Sequence, residues 1–200
     1  MITNRTVNGI LADFCQQYHI RENEDKRFEF LANYIVLSGF EFSRQVDIDL
    51  LRSIDVDPEG GTFGLDSIQF FVNDNLVLSP RDIDVYIKSN SLKVDIVFVQ
   101  TKTSSKIDTG DLLKTISAVK RFILHGDKYN NKYNFNLKNA YDIYKRLFDF
   151  ECSRHFDTES PKISIYFVTT SEHVHNDIIT FCDEQSSELS NSLVDIKNVI

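Results

Sequence analysis

Three residues in the middle of the chain have side chains suited to divalent-cation and phosphate chemistry. Asp66 follows Gly64-Leu65 near the start of a predicted strand, and Gln100 and Lys102 end another, Val97-Phe98-Val99-Gln100-Thr101-Lys102. Because alternate residues of a strand share a face, Gln100 and Lys102 project to the same side. If the two strands are neighbours in a sheet, a carboxylate, an amide and an ammonium group converge on one point.

That combination suits hydrolysis of a phosphodiester. The reaction needs charge stabilisation at phosphorus and an activated water, and Mg²⁺ or Mn²⁺ supplies both when hard oxygen ligands leave coordination positions open. Asp66 would be the anionic ligand, Gln100 would give an amide oxygen or position the water, and the backbone carbonyl of Thr101 would be a further ligand. Lys102 would stabilise the transition-state charge and orient or help to deprotonate the attacking water.

Glu29 is a fourth candidate. It lies beside the apolar stripe of a predicted helix, where a carboxylate could face the edge of the sheet and bind the metal directly or through water. The alternative is a solvated helix residue, which is the usual place of a glutamate. The sequence leaves both interpretations open.

Apolar periodicity predicts the elements that would position these residues. In the first half we expect helices over 5–18 and 22–37, a turn-rich segment over 55–61, and a hairpin of strands 68–72 and 76–78. Ser79-Pro80 then predicts a helix start, with an end near Asn90. The second half predicts a doubly buried strand over 93–100, a helix from Asp108, a loop over 126–139, a helix over 139–151, a strand over 163–168, a helix over 175–189 and a strand-like end over 193–200.

This order of elements predicts an α/β fold, a three-layer sandwich with a mixed sheet flanked by helices. Residues 1–54 would form an N-terminal helical segment that packs on a core of residues 55–200. The glycines at 60, 61 and 64 lack the spacing of a phosphate-binding loop. The end of the chain has no terminal feature, and we expect an N-terminal piece of a longer protein that oligomerises, if at all, through regions beyond residue 200.

Charge is distributed unevenly. The net charge is −8, yet residues 80–146 hold 13 Lys/Arg against 7 Asp/Glu. This basic middle permits phosphate-backbone binding, with Lys106, Lys114 and Arg121 as candidates, and the alternative is a mixed solvated surface. Lys114 and Arg121 are seven residues apart and so share a helix face.

Other function classes find little support. No run of about 18 apolar residues could span a membrane, and the amphipathic N-terminus is unlike a signal peptide, so we expect a cytoplasmic protein. The three cysteines are scattered and form no CxxC pair, which indicates buried thiols. His173 and His175 fall in a predicted loop or helix start and make a poor metal site.

The two motifs resemble a known superfamily. Gly64-Leu65-Asp66 and the stretch from Val97 to Ser104, with a helix opening near Asp108, are similar to the restriction-endonuclease-like PD-(D/E)xK superfamily. More narrowly, they resemble the N-terminal region of the abortive-infection phage-resistance (AIPR) proteins. There, a G-[IL]-D strand precedes an intervening helix and a strand ending F-x-Q-x-K-[TS]. The resemblance implies a Mg²⁺- or Mn²⁺-dependent endonuclease domain of antiphage defence, with DNA as the substrate and RNA as an alternative.

The resemblance also implies roles for single residues. Asp66 matches the metal-binding aspartate, Gln100 stands where a second acidic ligand is more usual, and Lys102 matches the catalytic lysine. Glu29 matches the glutamate of a preceding helix. Leu65 replaces the superfamily's proline, which is not a ligand, whereas Gln100 removes a negative charge and predicts lower metal affinity.

Two rival functions are open from the sequence. One is a non-catalytic module that keeps the nuclease fold to bind nucleic acid or a partner protein, which would account for the neutral Gln100. The other is a structural assembly domain, which predicts an apolar patch around residues 102–121.

Overall fold

The computed structural model describes residues 2–40, 45–58, 64–89, 91–129 and 133–197, with side chains to residue 191 in the last helix. Its elements, in chain order, are α1 (Arg5–Tyr18), α2 (Glu24–Ser38), α3 (Ile48–Ile54), β1 (Ser67–Val72), β2 (Asn75–Val77), α4 (Pro80–Ile83), β3 (Val94–Lys102), α5 (Thr109–Tyr129), α6 (Phe135–Phe148), α7 (Phe150–Ser153), β4 (Lys162–Thr169) and α8 (Asn176–Lys197).

The four strands form one mixed sheet in the order β2-β1-β3-β4. β1 is antiparallel to both β2 and β3, and β3 is parallel to β4. Ser67 pairs with Val99, and the Asp66 backbone N–H donates to the Val99 carbonyl at 2.9 Å. The start of β1 therefore lies beside the end of β3, where the two motifs meet.

Helices cover both faces of this sheet. On one face, Phe71, Val97 and Val99 pack with apolar residues of α1, α2 and α3. On the other face, Ile96 and Phe98 pack with residues of α5 and α6 and with Leu189 of α8. The protein is α/β with helices on each side of the sheet, an arrangement compatible with a three-layer sandwich. The prediction that β3 is buried on both faces is confirmed, since Val94 to Thr101 are all buried.

Side-chain caps fix where the helices next to the site begin. The Asn23 side chain accepts a hydrogen bond from the Lys26 backbone N–H at 2.9 Å and so starts α2. At the start of α5, the Asp108 carboxylate accepts from the backbone N–H groups of Gly110 and Asp111, at 2.8 and 3.2 Å. These caps set which residues of α2 and α5 face the end of β3.

The predicted helix from Ser79 to near Asn90 is wrong beyond its first turn. α4 ends at Ile83, and the chain continues in turns to Ser89, while Asn90 lies outside the described residues. The backbone bonds here run from Tyr86 N–H to the Ile83 carbonyl and from Ser89 N–H to the Tyr86 carbonyl. This spacing of three residues makes tight turns, because a continued α-helix needs a spacing of four.

Three other segments differ from the sequence-based predictions. α3 was not predicted; Asp47 caps it, and Leu50, Leu51 and Ile54 bury its apolar side. Most of the predicted loop over 126–139 is helical, because α5 runs to Tyr129 and the Asn134 cap starts α6. The strand-like prediction for 193–200 is wrong as far as 197, since α8 continues to Lys197. Residues 198–200, and 59–61 of the turn-rich segment, lie outside the described residues.

No helix within the described ranges is both long enough and apolar enough to cross a membrane.

Candidate active site

All four residues singled out in the sequence line one open cleft. The cleft lies at the carboxyl end of β3, between α2 and α5, and has a volume of about 760 Å³. Glu29 comes from α2, Asp66 immediately precedes β1, and Gln100 and Lys102 come from β3. The remaining lining residues are Asp25, Asp57, Gly64, Thr101, Thr103, Asp111, Leu113, Lys114, Ser117 and Arg121.

Asp66 is the buried centre of this cleft, with 6% of its surface exposed. Its Oδ2 accepts hydrogen bonds from the backbone N–H and the hydroxyl of Thr101, both at 2.6 Å, and its Oδ1 accepts from Gln100 Nε2 at 3.0 Å. Burial raises the pKa of Asp66, and the hydrogen bonds from Thr101 act against that rise. The positive charges of Lys26 and Lys102 also oppose the rise in the pKa of Asp66.

Gly64, two residues before Asp66, has a backbone conformation that favours glycine. Its φ is +84°, in the left-handed region that favours glycine. A Cβ atom placed there would lie 3.6 Å from the Lys114 carbonyl oxygen and from the Ala118 Cβ, which are ordinary contact distances, so the positive φ and not a lack of space favours glycine. A side chain at this position would strain the backbone, which explains the glycine two residues before Asp66.

The Gln100 amide nitrogen joins two oxygens that a cation could use. Nε2 lies 3.0 Å from Asp66 Oδ1 and 3.0 Å from the Thr101 carbonyl oxygen. Both of these oxygens are acceptors only, so the NH₂ end of the amide must face them. The sequence predicted that Gln100 would offer its amide oxygen. In this structure the amide nitrogen, and not the amide oxygen, faces Asp66 Oδ1 and the Thr101 carbonyl. Gln100 could therefore bind a cation there through its oxygen only if the amide rotated by half a turn.

The oxygens present fit a hard divalent cation. Asp66 Oδ1 and the Thr101 carbonyl oxygen point at a common N–H donor, and the carboxylate of Glu29 lines the same cleft. One or two carboxylates with carbonyl oxygens and water make the set that Mg²⁺ uses in proteins. Among the described residues, no group of three or more His, Cys, Asp or Glu is placed to hold a metal ion. A site here therefore depends on neutral oxygens as well as carboxylates.

Glu29 is held in the cleft by a lysine that the sequence analysis missed. Its side chain is 18% exposed, and its Oε2 lies 2.5 Å from Lys26 Nζ, one helical turn earlier. Lys26 Nζ also lies 2.6 Å from Asp55 Oδ2. Burial, followed by the negative charge of Asp66, raises the pKa of Glu29 to about 7 in spite of Lys26. Glu29 is thus a partly buried residue of the cleft, paired with Lys26, and not a solvated helix residue. The spacing of three between Lys26 and Glu29 was the available signal.

The basic candidates divide between two places. Lys102 lines the cleft and has no hydrogen-bond or ion-pair partner among the described residues, so its ammonium is available to an anion there. Lys114 and Arg121 line the same cleft from α5, and Lys114 is paired with Asp111 at 3.0 Å. Lys106 lies elsewhere, in a separate cavity of about 570 Å³ that His173 and His175 also line. The structure therefore brings two of the three predicted phosphate contacts to the site.

The surface around residues 102–121 lacks the apolar patch that an assembly domain would need. Among residues 102–121, all of which the structure describes, Leu113 is the one large hydrophobic residue whose side chain is exposed, at 44%. Its neighbours on the cleft wall are charged or polar.

Comparisons of the chain with family models, with characterised proteins and with solved structures find no match.

Proposed function

We propose that this chain is a metal-dependent nuclease domain of the PD-(D/E)xK type, with a restriction-endonuclease-like sandwich. Its substrate would be DNA, with RNA as the alternative, and the resemblance to AIPR proteins suggests a role in antiphage abortive-infection defence. One observation carries the proposal. Glu29, Asp66 and the Gln100–Lys102 segment, far apart in the chain, line one cleft in which Asp66 and the Thr101 carbonyl are aimed at a common point.

Each residue then has a distinct part in phosphodiester hydrolysis. Asp66 and the Thr101 carbonyl would hold Mg²⁺ or Mn²⁺, with Glu29 as a further oxygen ligand, directly or through water. The bound cation would supply charge stabilisation and lower the pKa of water. Lys102 would donate hydrogen bonds to the phosphate oxygens that gain negative charge and would orient the attacking water. The low exposure of Asp66 strengthens these electrostatic interactions, because buried charges are less screened.

The basic residues of α5 support an anionic substrate. Lys114 and Arg121 line the cleft wall opposite Glu29, so a phosphate backbone that entered the cleft would meet positive charge beside Lys102. The carboxylates of the floor make the empty cleft unfavourable for a polyanion. A divalent cation would offset that repulsion, so we expect nucleic acid to bind more tightly with metal than without it.

The direct test is cleavage of plasmid and linear DNA with Mg²⁺ or Mn²⁺, with EDTA as the metal-free arm. Lys102→Ala should lower the cleavage rate by 10²-fold or more, in the range seen when a group that stabilises transition-state charge is removed. The matched control is Lys162→Ala, since Lys162 is an exposed lysine at the opposite end of the sheet. Metal-dependent cleavage that survives Lys102→Ala unchanged would refute this assignment of the site.

A specific observation also favours the rival binding module. The NH₂ group of Gln100 donates hydrogen bonds to both Asp66 Oδ1 and the Thr101 carbonyl oxygen. These oxygens therefore have partners without a metal, as expected of a site that never holds one. The two functions differ in metal binding. The nuclease proposal expects Mn²⁺ binding that Asp66→Asn abolishes, whereas the binding module expects neither Mn²⁺ binding nor cleavage.

A further inference from the structure

Lys26 is a partly buried cation that contacts Glu29, one of the residues lining the cleft. Its side chain is 15% exposed, and its Nζ lies 2.5 Å from Glu29 Oε2 and 2.6 Å from Asp55 Oδ2. It also donates to the Asp57 carbonyl oxygen at 3.4 Å. One ammonium group therefore contacts three oxygens, two of them from carboxylates, as a bound metal ion would.

The surrounding structure fixes this position. The Asn23 cap places Lys26 in the first turn of α2, one turn before Glu29. Asp55 is anchored from the other side, because it pairs with Ser67, the first residue of β1, and its Oδ1 accepts from the Asp57 N–H at 3.0 Å. The ammonium is thus clamped between α2 and the segment that leads into β1, beside Asp66.

The ion pair between Lys26 and Glu29 competes with metal binding by Glu29. Glu29 Oε2 is bound to Lys26 in the metal-free protein, so a cation at Asp66 must compete with Lys26 for Glu29. An ammonium left without a partner at this depth would be costly. Asp55 removes that cost, because Lys26 stays paired with it when Glu29 moves to the cation.

We propose that Lys26 is a positioning residue that acts as an internal counter-cation. It forms an ion pair with Glu29 when the metal is absent and releases Glu29 when the metal binds. The strength of this ion pair therefore affects the metal affinity of the site. This inference rests on the proposed function, because that proposal identifies Glu29 and Asp66 as metal ligands. It explains how two neighbouring carboxylates are kept in a partly buried site without metal. It also gives Asp55, which does not line the cleft, a part in metal binding.

The test is Mn²⁺ binding measured by calorimetry on the metal-free protein, without nucleic acid. Lys26→Gln removes the competing charge and should tighten Mn²⁺ binding by roughly tenfold or more, within the usual range of coupling between two sites. Lys26→Arg keeps the charge and should stay close to the wild-type affinity. The control is Lys93→Gln, because Lys93 also lies between two aspartates, at 2.5 Å from Asp74 and 4.0 Å from Asp95, but away from the cleft.

A double-mutant cycle separates the specific contact from a general effect of charge. The gain from Lys26→Gln should disappear in a Glu29→Gln background, because no carboxylate is then released. Mn²⁺ binding that is unchanged or weaker in Lys26→Gln overturns the inference, and so does a gain that persists without Glu29.

A second variant tests the inference from the other direction. Asp55→Asn removes one of the two carboxylates that contact Lys26 and leaves the contact with Glu29, so it should weaken Mn²⁺ binding several-fold, while an unchanged or higher affinity contradicts the inference. This arm holds even if Lys26→Gln fails to fold. A change in Mn²⁺ affinity without any DNA cleavage would leave the role of Lys26 standing and count against the nuclease alone.

Discussion

Glu29→Gln should make the metal-free protein more stable, and more so at high pH. Glutamine has the shape of a protonated glutamate but carries no charge. Burial and the nearby Asp66 raise the pKa of Glu29 from 4.5 to about 7, so the ionised carboxylate is disfavoured in the folded state. The substitution does not strand Lys26, because its 2.6 Å contact with Asp55 remains.

The sign and size follow from linkage between protonation and folding. The folded state holds its proton more tightly than the unfolded state does, so ionised Glu29 lowers the free energy of unfolding. This destabilisation is absent below pH 4.5, grows between 4.5 and 7, and is complete above 7. A rise in the pKa of Glu29 from 4.5 to about 7 corresponds to a destabilisation of roughly 3 kcal/mol above pH 8 and of about 1 kcal/mol at pH 5.5.

Urea unfolding in EDTA at pH 5.5 and pH 8.5 measures this difference. Glu29→Gln should raise the free energy of unfolding at both values, with a gain roughly 2 kcal/mol larger at pH 8.5. Glu184→Gln, at an exposed position on α8, is the control and should change stability by less than about 0.5 kcal/mol at either pH. A loss of stability at pH 8.5, or an equal gain at both pH values, would show that Glu29 does not lie in a desolvated, negatively charged site.

Two further substitutions test the site and the packing around it. Gln100→Glu replaces the N–H donor to Asp66 with a carboxylate, so calorimetry should show Mn²⁺ binding tightened at least several-fold, and urea unfolding in EDTA should show a less stable protein. Weaker Mn²⁺ binding in this variant would contradict a cation position beside residue 100 and Asp66. Gly126→Ala places a Cβ about 2.0 Å from Tyr141 Cε2 and should cost roughly 1–3 kcal/mol by urea unfolding. Gly9→Ala, which has no atom within 4 Å of the new Cβ, should leave stability equal or slightly higher, and a similar result at Gly126 would contradict the close packing of α5 on α6.

Patterns confined to a few residues predicted much of the fold. The helix predicted over 5–18 and the buried strand predicted over 93–100 were confirmed as α1 and β3, because each buries apolar residues against its neighbours, although Ile10 of α1 is exposed. The failed predictions came where the pattern was ambiguous. After Ile83 the apolar spacing suits a helix, yet the backbone adopts tight turns. The alternation of apolar residues near the C-terminus is typical of a strand, yet the chain continues as helix α8 to Lys197.

The residue types of the site, and the shared face of Gln100 and Lys102, can be read from the sequence, because the two-residue period of a strand is a local property. The other features of the site depend on contacts between distant parts of the chain. The hydrogen bond from Gln100 to Asp66 joins residues 34 apart in the chain, and the contact from Lys26 to Asp55 joins α2 to the segment before β1. Which end of the Gln100 amide faces Asp66, and how far the pKa of Glu29 rises, depend on which charges and acceptors are buried together. No periodic pattern contains that information, because desolvation is a property of the packed chain and not of the segment.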